Sequence, residues 1–482
     1  AFTASVDDTI VATAIPRISE DFKSIEDIAW YGSAYFLTMG SFQLLYGTLY
    51  RLHSDRTVYL GALVSFVAGS TVSATARNSR SLIIGRALAG AGAAGIITGN
   101  FVIMANIIPL RQRPLYTSIV GMLVAMSSVA GPLLGGVITD HLGWRWCFWV
   151  SLPAAAAIAI VFVAVHRAHK PTVTPESWRR RLQRYDPVGT PVFLALAICF
   201  QIALQWGGAE YRWGSAQVVS LFVVSGVLLA TFIGSQWYMG EDATLPPRIA
   251  KQRTMASGGF FMFCLGGAYY SAVYYLPLWF QAIRDASPSQ SGILSVPLLI
   301  SMVVSSILIA GAVTAAGYYT PFAILSPFLT SVGAGLLSSL QPGSSQAKII
   351  GYQIILGTGT GIGLHQPFIA AQTVLSSSDT STGIAFMMGS EMLGGSLFIA
   401  VAQKIFTSRL SALLLKAAPG IDAAAISKAG ATQILSMVPQ DRLAAVRQAY
   451  STAVTDTFYL GTGLAAASLL GAVFMEWRSI KQ

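Results

Sequence analysis

Residues 81 to 108 read SLIIGRALAGAGAAGIITGNFVIMANII, 28 positions with a single ionisable side chain, Arg86. A bilayer core about 30 Å thick is crossed by about 20 apolar residues rising about 1.5 Å each, so this stretch is long enough to span it as a helix. Glycines and alanines recur at spacings of four along it, leaving a smooth face on which a neighbouring backbone can lie closely. The pattern extends in both directions. About fourteen apolar stretches fill the chain, among them 1 to 15, 29 to 50, 116 to 139, 257 to 283, 347 to 375, 381 to 406 and 450 to 475. Every backbone N–H and C=O in hydrocarbon must be paired within its own segment, and the alternation of barrel strands is missing, so the expected class is an all-α polytopic membrane protein. With 54% hydrophobic and 10% charged residues and a mean hydropathy of +0.61, the chain has too little polar surface for a soluble protein.

The net charge of +10 is distributed as a topology signal. Fifteen Lys and Arg lie in the loops after even-numbered spans and in the C-terminal tail, against eight in the short loops on the other side. The positive-inside rule therefore puts the even loops and the C-terminus in the cytoplasm. The basic residues answer to the lipid bilayer as partner, not to nucleic acid. The run RRRLQR at 179 to 184 either fixes orientation or binds anionic headgroups. Cys147, Cys199 and Cys264 lie at or inside apolar segments, which argues against a disulfide framework or a zinc site. No metal is expected.

A basic linker at 166 to 187 is the strongest internal boundary. It divides the chain into an N-terminal six-helix bundle at 1 to 165 and a remainder in which two inserted helices, 188 to 239, precede a C-terminal six-helix bundle, 240 to 482. The last part includes an extracellular loop, 407 to 449. Span 12 carries GTGTGIG from Gly357 to Gly363, matching the small-residue run of span 4 and pointing to an internal repeat. That run follows no strand, so it is not read as a phosphate-binding loop. Span 1 is short ahead of Asp7, and the chain is expected to lack an N-terminal tail.

Span 5 ends in AGPLLGGVITDHLGWRWCFW, Ala130 to Trp149. Pro132 cannot donate to the helix ladder, and Gly131, Gly135 and Gly136 strip side chains from the helix, which favours a kink and tight packing. This pattern resembles the antiporter motif of the major facilitator superfamily. LIIGRALAGAGAAG at 82 to 95, VDDTIVATAIP at 6 to 16, WYGSAYFLT at 30 to 38, YYLPLWFQ at 274 to 281 and SGILSVPL at 291 to 298 extend the match. Together they look like the fourteen-helix drug:proton antiporter branch, especially fungal toxin and multidrug efflux pumps. The resemblance implies two six-helix bundles with two extra helices between them, rocking around a central cavity. It also implies a monomer in the plasma membrane, or alternatively the vacuolar membrane, driven by the proton gradient without a cofactor. Two departures stand out. In GTLYRLHSDR at 47 to 56, Arg51 stands where the gating motif has an acid and Ser54 where it has glycine; Ser127 replaces an upstream glycine of the antiporter motif.

A charge at mid-bilayer costs at least roughly 2.5 to 3.5 kcal/mol, so each ionisable residue inside a span calls for a partner or a task. Asp7 and Asp8 in span 1, Arg86 in span 4, His365 in span 12 and Glu391 in span 13 are such residues. Asp7 and Arg86 match acidic and basic positions of the family motifs and are expected to form a switchable pair that exchanges a proton. The alternative is a permanent structural ion pair. Asp8 points about 100° away on the helix. Glu391 is expected either to take part in proton coupling, to hold a cationic substrate, or to sit protonated in the core. Tyr35, Tyr270, Tyr274, Gln281, His365 and Gln366 are the expected lining of an adaptable cavity for a bulky small-molecule substrate.

The expected function is proton-coupled export of a bulky apolar small molecule by alternating access. Proton-coupled uptake with the same fold, a transporter-like receptor and an intramembrane enzyme are the alternatives. The antiporter motif favours export, and no convincing set of catalytic groups supports an enzyme.

Overall fold

The computed structural model describes residues 2–22, 28–166, 185–207, 211–286, 288–377, 379–417 and 443–481. Most of the basic linker and the centre of the 407 to 449 loop therefore lie outside the described residues, including RRRLQR and residues 418 to 442. The described chain is helical apart from short turns and two isolated bridges. It folds into two compact units. Unit 1 takes Ala1–Ala256, Phe368–Gly389 and Ile480–Gln482; unit 2 takes Ser257–Pro367 and Ser390–Ser479.

The helices, in chain order, are α1 (Phe2–Phe22), α2 (Ile28–Leu52), α3 (Asp55–Ala74), α4 (Ser79–Ile107), α5 (Arg113–His141), α6 (Ser151–Val165), α7 (Gly189–Trp206) and α8 (Ala216–Met239). There follow α9 (Arg253–Arg284), α10 (Val296–Ala316), α11 (Thr320–Leu337), α12 (Gln346–Gly363), α13 (Gln366–Val374), α14 (Thr380–Ala417) and α15 (Leu443–Phe474). Among the described residues, eight helices are long and apolar enough to cross a membrane, and Gly189–Leu204 is a shorter apolar helix. Starts of helices are set by polar caps in the turns: Asn78 Oδ1 accepts from Ser81 N–H at 2.9 Å, and Ser54 Oγ accepts from Thr57 N–H at 3.3 Å.

The glycine runs seat their helices between two neighbours. On α4, a Cβ at Gly92 would fall 2.3 Å from Phe66 N of α3, and one at Gly90 would fall 2.2 Å from the Tyr35 carbonyl of α2. In unit 2, Gly357 and Gly361 press on Leu298 and Met302 of α10, while Gly359 and Gly363 press on Thr330 and Ser326 of α11. Each pair is spaced by four, so the two pairs mark two faces of α12. Burial follows this arrangement: the apolar window of Ser79–Ile107 is 72% buried, against 17% for Trp146–Val165 and for Ala216–Asp242. Exposed side chains such as Ile160, Val165 and Val227 form the apolar outer surface that lipid would cover.

Span 12 departs from its expected continuous form. The helix stops at Gly363 and resumes at Gln366, with Leu364 and His365 in a turn. Pro367 has no N–H to give and its ring crowds the preceding turn, which breaks the ladder there. Substitution Gly92→Val is expected to abolish the monodisperse peak in size-exclusion chromatography of the detergent-solubilised protein. Gly226→Val, where a Cβ meets nothing within 4 Å, is expected to leave the peak intact.

Candidate functional site

Asp7 on α1 and Arg86 on α4 meet in unit 1. Arg86 Nη1 donates to Asp7 Oδ2 at 2.7 Å, and neither side chain has any exposed surface. Nη1 also reaches the Asp7 carbonyl at 3.3 Å, and Nε donates to the Tyr31 carbonyl at 3.0 Å. The guanidinium lies 4.4 Å from the centre of the Tyr35 ring, and the Tyr35 hydroxyl donates to the Ala4 carbonyl at 2.9 Å. Arg86 is thus held by α2 independently of the carboxylate. Asp7 is held less closely: Ser70 and Ser151 lie beside it, and among the described residues its Oδ1 has no partner within ordinary hydrogen-bond geometry. The Asp8 side chain lies outside the described residues.

The antiporter motif presses α5 onto α1. A Cβ at Gly131 would fall 1.9 Å from Thr9 Oγ1, and that hydroxyl donates to the Ser127 carbonyl at 3.0 Å. Ser127 Oγ donates in turn to the Phe2 carbonyl at 3.2 Å, so the serine adds a cross-helix bond that glycine lacks. Gly135 is buried and its carbonyl lies 3.9 Å from Cys147 Sγ. At Gly136, rotated about 100° from Gly135, no described atom beyond its chain neighbours and its own helix backbone lies within 4 Å of the Cβ position. The helix runs unbroken through Pro132, whose ring lies outside the described side chains.

Unit 2 holds the other expected residues. The Tyr270 hydroxyl donates to Glu391 Oε1 at 3.4 Å, and Glu391 is buried. Tyr274, one turn along α9, is 55% exposed. Gln281 Nε2 donates to Ser291 Oγ at 3.0 Å, and half-buried His365 sits in the α12–α13 turn. Two of the residues expected on a cavity wall are buried. Tyr35 is sealed beneath Arg86, and Gln366 is buried with its Nε2 donated to the Ile362 carbonyl at 2.8 Å.

A charge network at the helix ends was not anticipated from the sequence. Arg248 grips Asp379 with two hydrogen bonds, 2.8 and 3.0 Å, and also reaches Glu241 at 2.6 Å. Ser376 Oγ donates to Asp379 at 2.6 Å. Arg51, the residue that departs from the gating motif, donates to the Ala243 carbonyl at 3.2 Å and its charge is felt at Asp379. Asp55 Oδ2 lies 3.2 Å from His166 Nε2. Fully buried Asp186 accepts from Gly189 N–H, Gln236 Nε2 and Thr244 N–H, clamping α7 and α8 to the following turn. Burial by itself would raise the Asp379 carboxyl, but the bonds from Arg248 and Ser376 and the two arginine charges outweigh it and hold the group below its ordinary value of 3.8.

Removing one partner of a sealed ion pair leaves an uncompensated charge, so Arg86→Ala is expected to cost about 3 to 5 kcal/mol in thermal unfolding. The double variant Asp7→Asn/Arg86→Gln is expected to recover much of it. Because the folded Asp379 value is depressed, its contribution is full above the unfolded value and is lost as pH falls below about 4. Asp379→Asn is therefore expected to lose about 1 kcal/mol or less at neutral pH, Arg248 being half exposed, and to show a flatter melting profile in acid.

The sequence profile of the Major Facilitator Superfamily matches residues 1–399. A protein from Arthroderma benhamiae named MFS-type efflux pump MFS1 is 46% identical over 478 residues, covering 99% of this chain and 89% of that protein. Efflux pump roqT of Penicillium rubens is 43% identical over 482 residues, covering 100% and 89% respectively. Among solved structures, human organic anion transporter MFSD10 aligns with a TM-score of 0.59 at 14% identity, covering 96% of this chain and 97% of its own. The proton:xylose symporter XylE aligns with a TM-score of 0.60 at 11% identity, covering 98% and 92%. Helices, glycine contacts and profile agree: the chain belongs to the major facilitator superfamily, as a multi-pass membrane protein.

Proposed function

We propose that this chain is a proton-coupled efflux pump for bulky, largely apolar small molecules such as toxins or secondary metabolites. The support for export is that relatives 43 to 46% identical over nearly the whole chain are named efflux pumps. The observation that carries coupling is the sealed Asp7–Arg86 pair. Protonation of Asp7 discharges the pair while Arg86 keeps the Tyr31 carbonyl and the Tyr35 ring, so one residue changes charge and the other stays fixed. Re-pairing with Arg86 then favours release of the proton. With no exposed surface at either side chain, exchange requires opening, and this ties proton movement to conformational change.

One elementary charge crossing 100 mV supplies about 2.3 kcal/mol, enough for roughly a fortyfold substrate gradient per proton. The proposed architecture is fourteen spans, two six-helix bundles with the pair α7 and α8 inserted between them, working as a monomer in the plasma membrane. No cofactor is invoked.

Purified full-length protein in detergent is expected to release protons on addition of a hydrophobic substrate, and Asp7→Asn is expected to abolish this release while retaining substrate binding. Unchanged release in Asp7→Asn would remove Asp7 from the coupling step. In proteoliposomes, an inward proton gradient is expected to drive substrate outward; accumulation in the direction of proton flow would establish uptake instead.

A further inference from the structure

The two oxygens of the Asp7 carboxyl stand in different surroundings. Oδ2 takes the Arg86 Nη1 bond at 2.7 Å, while Oδ1 has no partner in ordinary hydrogen-bond geometry among the described residues. Two hydroxyls lie beside the carboxyl, Ser70 of α3 and Ser151 of α6. They differ in what they have left to give. Ser151 Oγ donates its hydrogen to the Phe148 carbonyl at 2.7 Å. Ser70 has no exposed surface, and its Oγ meets no partner in ordinary hydrogen-bond geometry among the described residues. A hydroxyl sealed from water without a partner costs free energy, so its place beside an ionisable acid calls for a reason.

Helix packing puts Ser70 there. α3 lies on α4 through glycines on both sides of the contact: a Cβ at Gly69 would fall 2.2 Å from Ala89 N, and one at Gly85 would fall 2.7 Å from Ser73 N. A single residue step from Gly69 turns the chain by about 100°, which carries Ser70 off the α4 seam. Ser73, one turn further along the same helix, is equally buried, but its Oγ is set against α4, 2.5 Å from the Cβ position of Gly85. The other groups around Asp7 are the Arg86 guanidinium, itself 6.0 Å from the centre of the Phe148 ring, and the Cys147 thiol, which feels the Asp7 charge.

We infer that Ser70 is the positioning residue for the transported proton: the proton is carried on Asp7 Oδ1, with the Ser70 hydroxyl as its hydrogen-bond acceptor. Protonation forms an O–H bond at the oxygen that Arg86 does not hold, and it leaves Asp7 neutral. An acid that has become a donor needs an acceptor, and a guanidinium has only N–H groups to offer. A hydroxyl has two lone pairs and one hydrogen, so Ser70 accepts from the protonated acid and, turned about its Cβ–Oγ bond, donates to the bare carboxylate. Its own proton count does not change. Ser151 has already given its hydrogen to Phe148 and can only accept, so it serves one state of the acid where Ser70 serves both. This assignment rests on the coupling role of Asp7 and adds the group that holds the proton in place.

The test is infrared difference spectroscopy of purified full-length protein in detergent, in which the carbonyl stretch of protonated Asp7 is identified as the band that Asp7→Asn removes. Ser70→Ala is expected to move this band to higher wavenumber, as a protonated carboxyl stripped of its acceptor does. A hydrogen bond to a carboxylate is stronger than one to the neutral acid, so Ser70→Ala is also expected to lower the protons released on substrate addition at neutral pH about twofold or more. Ser70→Cys, a weaker acceptor of similar size, is expected to move the band part of the way. Ser73→Ala removes an equally buried hydroxyl from the same helix and is expected to leave the band in place. A band unmoved in Ser70→Ala, proton release there equal to wild type, or an equal band shift in Ser73→Ala would overturn the assignment. So would a wild type with no protonated carboxyl band that Asp7→Asn removes. The first three results leave the loss of proton release in Asp7→Asn standing, whereas unchanged release in Asp7→Asn removes the coupling reading itself.

Discussion

Hydrocarbon is as apolar as leucine, so helices inside a bilayer gain little by hiding apolar surface from it, and close backbone approach must hold them together instead. Glycine supplies that approach at each position on which the chemistry depends. Gly90 admits the Tyr35 backbone and brings the ring that underlies Arg86; Gly131 admits Thr9 and fixes the helix that carries Asp7. Gly266 and Gly395 do the same for Glu391 and Tyr270. The ionisable groups are placed by the small residues opposite them, which is why the glycine-rich stretches and the functional candidates lie on the same helices.

The two buried acids answer the cost of burial differently. Asp7 has a cation fixed by other elements, while its second oxygen, among the described residues, lacks a donor within ordinary hydrogen-bond geometry. Glu391, among the described residues, has only a long hydrogen bond from a phenol. The two acids stand in different surroundings, which lets each be altered separately.

Much of this was legible in the sequence because membrane helices obey a strong rule: no polar backbone can be left unpaired in lipid. The all-helical class followed from apolar length, and the pairing of Asp7 with Arg86, which meet at 2.7 Å, followed from the match of both residues to motifs of the family. Tight packing at Gly131 was expected from the small residues around it, but its partner Thr9 was not. What the sequence did not disclose came from the turns and from side-chain direction. Arg51, Arg248 and Asp379 are separated by long stretches of chain and come together only through tertiary structure, so no local pattern marks them. Tyr35 and Gln366 were chosen by residue type, whereas their burial depends on rotation about the helix axis, which residue type does not give. Gly136 was grouped with its neighbours by proximity in sequence, whereas a single residue step rotates it about 100° from Gly135.

The break at Leu364 and His365 falls three residues before the point at which the chain leaves unit 2 for unit 1. Leu364 N–H still closes on the Thr360 carbonyl at 2.9 Å, and beyond it Pro367 has no N–H to contribute. The backbone can therefore bend at this point without surrendering a hydrogen bond that Pro367 never made. The return passage is different, for α14 crosses from Gly389 to Ser390 without interruption. A broken helix marks the first passage and an unbroken one the second, so only the first offers a place where the helix ladder is already short of a donor.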